Sequence, residues 1–469
     1  MPKPVLLWTD LLVFVLVVAV AGCAWYAAKY EHLRAPWRGV LRNRLSMAAA
    51  VILGAFVAIG LLDSVHFRPP LASGQADRET HYSSQVLSLL DFLAGPLRKH
   101  HETTYSAPFA THLYTRERAR LPEGTEVQVY PRLRYGGAHL TDPARDRGRD
   151  ILARALQGSA QGIALWAGIT WLLAAAVARR QGSSVGEVLR SIGAGRTEVP
   201  WRVILLMAFV IIVIAALAAN LAPKYHIFGT DKVGEDVFYQ TLKSIRTGLI
   251  IGTLTTLIML PFAIVLGIMA GYFSGWVDDA IQYLYTTLNS IPGVLLIAAA
   301  VLMLDIYMAN HEHLFESTMV RADLRLLFLC IILGITSWTG LCRLLRGETL
   351  KVRELDYVQA ATALGVSHFT IIGHHILPNV MHIVLITVVL DFSGLVLAEA
   401  VLSYVGVGID PTMNSWGNMI NSARLELARE PVVWWTLAAA FLFMFTLVLA
   451  ANLFSDAVRD AFDPRLRSQ

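Results

Sequence analysis

Stretches of about twenty apolar residues recur along this chain, and they decide most of what it can fold into. A hydrocarbon core of about 30 Å is crossed by about 20 residues of helix, because in lipid each backbone N–H and C=O must be satisfied within its own segment. Nine stretches qualify, at roughly 5–26, 45–62, 156–178, 203–222, 248–272, 281–304, 325–345, 382–404 and 433–453. The 469 residues are 55% hydrophobic and 16% charged, against about 25% charge in an ordinary soluble domain. The fold class expected is all-α, a polytopic membrane protein. Pro261 and Pro292 fall inside spans and are expected to kink them. The net charge of +4 is small for the length and argues against nucleic acid as a partner. Cys23, Cys330 and Cys342 lie within or beside apolar runs with no CxxC spacing, so they read as small buried hydrophobes.

Basic residues orient the spans. Lys29, Arg34, Arg38, Arg42 and Arg44 follow the first span. Arg179, Arg180, Arg190, Arg196 and Arg202 follow the third. Arg343, Arg346, Lys351 and Arg353 close the seventh, and Arg459, Arg465 and Arg467 follow the last. Alternation puts all four groups on one side, expected to be cytoplasmic, with the N-terminus outside and the C-terminus inside. Arg145, Arg147, Arg149 and Arg154 oppose this, but they end a long loop, where the rule weakens. The tetrapeptide VAGC (Val20 to Cys23) resembles a lipoprotein cleavage box. With Lys3 alone before a long apolar run, a retained helix is the expectation.

Residues 63–155 form the one large hydrophilic block. SQVLSLLDFLAGPL reads as an amphipathic helix and GTEVQVYPRLRYG alternates like a strand, so a small ordered domain outside the membrane is expected. Between Phe228 and Gly248, Phe238, Leu242 and Ile245 make an apolar stripe, read as an interfacial helix. Gly406 to Pro431 opens with Gly, Pro and Asn and continues as a helix.

A polar insertion, DYVQAATALGVSHFTIIGHHILPN (Asp356 to Asn379), separates two of the spans. Tyr357, Ala360, Ala361 and Leu364 share one helical face with two alanines at its centre, where another surface can approach closely. Gly365 ends that helix, Ser367 caps a second, and Pro378 marks entry to the next span. A connection of this length with two helices exceeds what joining spans requires, and docking of a partner is the functional reading.

The pattern Q-A-A-x(3)-G-x(9)-H-I-L-P in this insertion resembles the EAA loop of ABC-importer permeases. Tyr357-Val358 before it and His375 to Asn379 after it resemble the dipeptide/oligopeptide family, C-type subunit. WRGVLRNRLSMAAAVILG, FGTDKVGEDV, AGYFSGWVDD, LAEAVLSYVGVGIDPTMNSWGNMI and NLFSDAVRDAFDPRLR match further segments of that family in order. The resemblance implies a six-helix type I permease core at 223–469 with a coupling loop at 346–380, and the family's first helix at 37–62. Around these lie an extra N-terminal helix at 1–36, an inserted extracytoplasmic domain at 63–155 and an inserted helix pair at 156–222. Gln359 stands where the family has glutamate, with Asp356 as a substitute acid, and Glu235 stands where it has arginine.

The function implied is the permease subunit of an ATP-driven importer, moving peptides or related small solutes across the bacterial inner membrane by alternating access. The partners implied are ATPase subunits, a second homologous permease, an extracytoplasmic solute-binding protein and membrane lipid. The ATPase-docking residues implied are Asp356, Tyr357, Gln359, Ala360, Ala361, Leu364 and Gly365. No GxxxxGK[ST] stretch and no Gly-Lys pair occur, so no P-loop is present. No cofactor and no catalytic residue are expected. Neither His311-Glu312-His313 nor His374-His375 has a metal-ligand spacing, so no metal is expected. Asp391 and Glu399, and more weakly Asn289, are candidates for lining a translocation path. Two other readings remain. One is an ion-coupled secondary transporter, which explains neither the insertion nor the missing inverted repeat. The other is an envelope or signalling protein acting through 63–155.

Overall fold

The computed structural model describes residues 3–70, 82–83, 85–120, 126–311, 313 and 317–462. In chain order the helices are α1 (Trp8–Lys29), α2 (Glu31–Arg42), α3 (Arg44–Asp63), α4 (Leu89–Leu93), α5 (Gly95–Lys99), α6 (Pro143–Gln181), α7 (Val185–Ala194), α8 (Trp201–Leu221), α9 (Val237–Phe273), α10 (Gly275–Ser290), α11 (Gly293–Asn310), α12 (Thr318–Ser337), α13 (Thr339–Arg353), α14 (Asp356–Ala363), α15 (His368–Ile371), α16 (Leu377–Tyr404), α17 (Trp416–Glu426) and α18 (Trp435–Phe462). Five short strands, β1 (Lys3–Val5), β2 (His66–Arg68), β3 (Leu87–Ser88), β4 (Glu117–Arg120) and β5 (Glu126–Val129), pair antiparallel in the orders β1-β2-β3 and β4-β5. Among the described residues nine helical segments are long and apolar enough to cross a membrane. Glu312 and the tail motif beyond Phe462 lie outside the described residues.

Several helices run longer than the apolar stretches suggested, and four expectations are corrected. The stripe Phe238, Leu242, Ile245 is no separate interfacial helix. It forms the first turns of α9, a continuous 37-residue helix, because nothing between Gly248 and Pro261 breaks it and Ile245 is fully buried. The stretch around Pro292 is not one kinked span. α10 stops at Ser290, Ile291 is extended, and α11 starts at Gly293, the conformation forced on a residue before proline. In the polar block, SQVLSLLDFLAGPL becomes β3 and two five-residue helices, divided before Gly95-Pro96. Cys330 and Cys342 are buried, but Cys23 is exposed on α1.

The chain divides into two compact units, one of residues 1–5, 38–247 and 414–450, the other of residues 6–37, 248–413 and 451–469. In the first, α6 and α8 meet at Gly158 and Gly162. A Cβ at Gly162 would lie 2.9 Å from the Cα of Val213, and one at Gly158 3.0 Å from the Cα of Leu217. This is small-xxx-small packing, which lets two backbones approach. The Trp166 indole N–H donates to the Leu205 carbonyl at 2.9 Å, and the Asn220 amide donates to Gln161 at 2.8 Å.

The polar block of the same unit is held by buried charge. Lys243 on α9 reaches Asp63 at 2.7 Å and Asp91 at 3.0 Å, while Ser88 and Asp91 form the capping box of α4. His226 sits between Asp236 (2.7 Å) and Glu102 (3.4 Å). Glu102 also accepts from the backbone N–H groups of Arg134, Tyr135 and Gly136. Burial opposes charge on both groups, yet the hydrogen bonds win. His226 is raised to about 9 by Asp236 and Glu102, and Glu102 is lowered to about 2 by His226 and the three N–H groups. Gly234, at φ +78°, lets the Glu102 main chain pass so closely that no side chain fits there. Glu235, the family's arginine position, shares the Gln240 amide with Asp231. The Trp435 indole N–H donates to the Thr230 carbonyl at 3.0 Å, and the Tyr114 hydroxyl donates to the Val432 carbonyl at 3.1 Å.

In the second unit the 248–273 part of α9 packs on α13 at Gly267 and Gly271. A Cβ there would come within 2.9 Å of the Cys342 carbonyl and 2.7 Å of the Arg346 carbonyl. A core of Met259, Ala263, Ile268, Leu341, Leu345 and Val380 surrounds this contact. α1 packs on α12, where Thr9 donates through its backbone and its hydroxyl to Asp323. Asp10, Thr9 and Asp323 are all buried, so the extra N-terminal helix is joined to this unit by a polar contact that hydropathy alone does not reveal.

Candidate functional site

The hairpin 346–380 is rooted by two arginines one heptad apart on α13. Arg346 makes a two-pronged contact with Asp278, Nε to Oδ1 at 2.6 Å and Nη2 to Oδ2 at 2.7 Å. That hydrogen bond outweighs burial and holds the Asp278 carboxyl below the usual carboxylate range. Arg353 donates to the Tyr272 carbonyl at 3.1 Å and to the Ser274 hydroxyl at 2.6 Å. Tyr272, Ser274 and Asp278 all belong to AGYFSGWVDD, so that motif acts as the socket for α13. Motif matching located the segment without revealing this role, which the i, i+7 spacing of Arg346 and Arg353 hints at.

Beyond α13 the chain makes α14, turns at Gly365 and makes α15. The turn is a Schellman arrangement, with Val366 N–H to the Ala361 carbonyl (3.1 Å), Gly365 N–H to the Thr362 carbonyl (3.0 Å) and Gly365 at φ +76°. The Ser367 hydroxyl caps α15 by accepting from Thr370 N–H. A π-helical turn, Ile372–Ile376, leads into α16. The Asn379 amide donates to the Tyr357 hydroxyl at 2.9 Å and to the His375 carbonyl at 2.6 Å, tying the arms of the hairpin together. His374 is exposed, and the His375 ring lies against that of Tyr357 at 5.8 Å.

The two faces of α14 differ from the expectation at one residue. Val358 and Ala361, with Ile371 and Ile376, point into the unit's own core. Ala361 is therefore a packing residue, not part of the free face. The heptad-like set grouped it with Tyr357, Ala360 and Leu364, but the actual inward seam is i, i+3 through Val358. Asp356, Tyr357, Gln359, Ala360, Leu364 and Gly365 are exposed. Leu364 is 83% exposed, and Phe369, which sequence reasoning missed, is 86% exposed. They flank the turn and are the two most exposed large apolar side chains among the described residues.

Beside this apex lies an open cavity of about 510 Å³, lined by Tyr272, Arg353, Glu354, Gln359, Thr362 and His368. The Gln359 amide donates to both the carbonyl and the carboxylate of Glu354 at 3.3 Å. The same carboxylate receives Arg353 Nη2 at 3.1 Å. Tyr272 and His368 are paired at 2.8 Å on the far wall.

The three residues expected along a path through the membrane are not brought together as one cluster. Glu399 is buried and accepts from the Ser403 hydroxyl one turn on, at 2.7 Å. Asn289, exposed at the end of α10, accepts from Thr339 at 3.1 Å. Asp391, in the middle of α16, is half-buried. Charges missed in the sequence are Arg325 on α12 with Asp305 at 3.2 Å and Asp410 at 3.9 Å.

A family model described as binding-protein-dependent transport system inner membrane component matches residues 263–468. That range takes in the α13 socket, the hairpin and α16. The glutathione transport system permease protein of Pectobacterium atrosepticum is 33% identical over 245 residues, which cover 52% of this chain and 74% of that protein. The oligopeptide transport system permease protein of Haemophilus influenzae is 31% identical over 250 residues, 53% of this chain and 74% of that one. The chain belongs to this family of transport-system permeases. The dipeptide transport system permease protein of Bacillus subtilis is a further relative, 29% identical over 53% of this chain and 72% of its own length. Family membership and the apolar helices make it a multi-pass inner-membrane protein. The matched length is about half the chain, and the family model lies at 263–468, so the C-terminal half carries the likeness.

Proposed function

We propose that this permease is one membrane subunit of an ATP-driven importer of peptides or related small solutes, and that α14 and the Gly365 turn dock on a separate ATPase subunit. The observation that carries the docking is the apex itself. A helical hairpin whose apex, 354–367, joins the ends of two span-long helical segments, with Leu364 and Phe369 almost fully exposed, is an apolar surface that another protein covers. Asp356, Tyr357, Gln359, Ala360, Leu364, Phe369 and Gly365 form the docking set. Glu354, whose carboxylate is bonded to Gln359, is a better substitute than Asp356 for the acid that this family has at position 359. ATP hydrolysis belongs to the partner, a second permease completes the path, and an extracytoplasmic binding protein delivers the solute. The α14 side is cytoplasmic and the polar block is outside. Pairing of β1 with β2 supports an N-terminus on the side of the polar block. Path lining falls to Asp391, whose carboxylate accepts no hydrogen bond among the described residues, while Glu399 and Asn289 are engaged by their neighbours.

The test is co-purification of the ATPase with the permease carrying Leu364→Asp and Phe369→Asp together. Both side chains are exposed, so insertion and elution should match the unaltered protein while the ATPase is lost. Retention of the ATPase at wild-type stoichiometry would sink the docking assignment.

A further inference from the structure

We propose that the inserted helix pair carries a binding site for an anionic phospholipid at its basic end, formed by α6, α7 and α8. α7 folds back under the pair, capped by the Ser184–Glu187 box at its start and by Gly195 in the left-handed conformation at its end. Its one buried apolar residue, Val188, packs on Ala174 and Ala178 of α6. The three helices enclose a cavity of about 140 Å³ with walls from Leu173, Ala174, Val177, Ile192 and Leu205. That is roughly the space of four or five waters, but the walls are apolar and suit a stretch of hydrocarbon better. Leu173 and Trp201 on its rim are 48% and 36% exposed, so the cavity opens onto the flank of the pair.

Charge decides the kind of chain that enters. Three of the four polar lining residues, Gln181, Ser191 and Thr197 but not Thr170, and the rim residue Trp201, have an arginine as immediate chain neighbour, at Arg180, Arg190, Arg196 and Arg202. All four are exposed, as is Arg179. The stretch 179–202 holds only two carboxylates. Glu187 is committed to its capping box, and Glu198 pairs with Arg42 at 3.3 Å. None of the five arginines meets a carboxylate among the described residues. Setting topology needs basic residues but no cavity between them. Arg202 Nε also donates to the Ile192 carbonyl at 3.0 Å, which sets it at the end of α7 beside the slot. An apolar slot at the end of the pair that carries five exposed arginines matches the two halves of one molecule, an acyl chain and a phosphate. A neutral lipid would leave the arginines unanswered, and a soluble phosphate would leave the slot empty.

The full chain is purified from membranes and reconstituted in nanodiscs of phosphatidylglycerol and phosphatidylcholine with matched acyl chains. Lipid retained through delipidation is counted by native mass spectrometry. Phosphatidylglycerol should be retained in clear excess. Arg180→Gln with Arg202→Gln should lower that excess by about fivefold for each arginine, and Leu173→Trp, which fills the slot from its exposed rim, should lower it with the charges intact. Glycerol phosphate in solution should not displace the lipid. Equal retention of the two lipids, an unchanged excess in both variants, or displacement by glycerol phosphate would overturn the proposal. None of these readouts involves an ATPase or transport, so the result stands apart from the docking assignment.

Discussion

Two polar excursions leave the apolar helices of this chain, and they are built on opposite principles. The block 63–142 buries three carboxylates, Asp63, Asp91 and Glu102, while Arg116, Glu117, Arg118, Arg132 and Arg134 face outward. Glu102, His226 and Asp236 are all buried, with His226 bonded to both acids, and Lys243 is paired with Asp63 and Asp91. The hairpin 346–380 keeps its ion pairs at the root, with Arg346 and Arg353 on α13, and offers Leu364 and Phe369 at the tip. A segment whose buried charges are answered by other residues of the same chain needs no second protein to hold its shape, whereas one that exposes apolar side chains on a fixed turn is complete only when covered. The difference separates a part that holds itself from a part that acts on something else.

The comparison breaks most visibly at Glu102. Glu102→Ala leaves His226 to Asp236 but strips the Arg134, Tyr135 and Gly136 N–H groups of their acceptor, and a hydrogen bond to a charged group is worth about 1.5–3 kcal/mol. Glu102→Ala should therefore raise hydrogen exchange across 102–136 sharply while leaving the hairpin's exchange unchanged. Equal protection in the variant would show that the cluster does not hold the block. The same cluster gives the block a pH limit. Folding raises His226 from its ordinary 6.5 to about 9, so its contribution is complete below about 6.5 and is lost as pH climbs through 9. Protection factors in 102–136, from which the base-catalysed intrinsic rate is divided out, should fall over that window, and His226→Asn should abolish the dependence. A profile flat from pH 6 to 10 in the unaltered protein would refute the charged state of His226.

Adjacent alanines sharpen the hairpin side. Ala361→Arg forces a long side chain into a packed seam, and overpacking of this kind costs about 1–3 kcal/mol. Ala360→Arg, one residue away on the exposed face, should leave stability within about 0.5 kcal/mol. Both should reduce ATPase co-purification, but only Ala361→Arg should lower the unfolding temperature as well. If Ala360→Arg is the destabilised one, the faces of α14 are assigned the wrong way round.

The sequence made the membrane helices legible because hydrocarbon imposes one length and one composition. The helix–turn–helix of the hairpin was legible too, since Gly365 and Ser367 are local signals that act within a few residues. What escaped was set by distant partners. Ala361 points inward because Ile371 and Ile376 return beside it. Arg346 and Arg353 matter because AGYFSGWVDD folds back beneath them. Asp323 holds Thr9 across more than 300 positions. The break at Pro292 was misjudged for a different reason. A proline inside an apolar run allows either a kink or a stop, and the extended Ile291 selects the stop.

The Gly365 turn gives a smaller effect and tests rigidity, not surface. At φ +76° an L-residue meets its own carbonyl, at a cost of about 1–2 kcal/mol, and no neighbouring atom stands within 4 Å of the added Cβ. Gly365→Ala should thus shift the turn's equilibrium without any clash. A rigid coupling element should then show normal ATPase binding at low temperature and weakened binding on warming, as the strained turn frays. Leu364→Ala should do the reverse. Truncating a side chain that is 83% exposed removes almost no internal packing, so stability should stay within about 0.5 kcal/mol. ATPase co-purification should nevertheless fall at every temperature, because the apex has lost its apolar contact. Measuring stability and co-purification side by side for the two variants separates the shape of the apex from its chemistry. If Leu364→Ala were silent in both, the exposure of that side chain would have no functional consequence, and the contrast between the two excursions would rest on Phe369 alone.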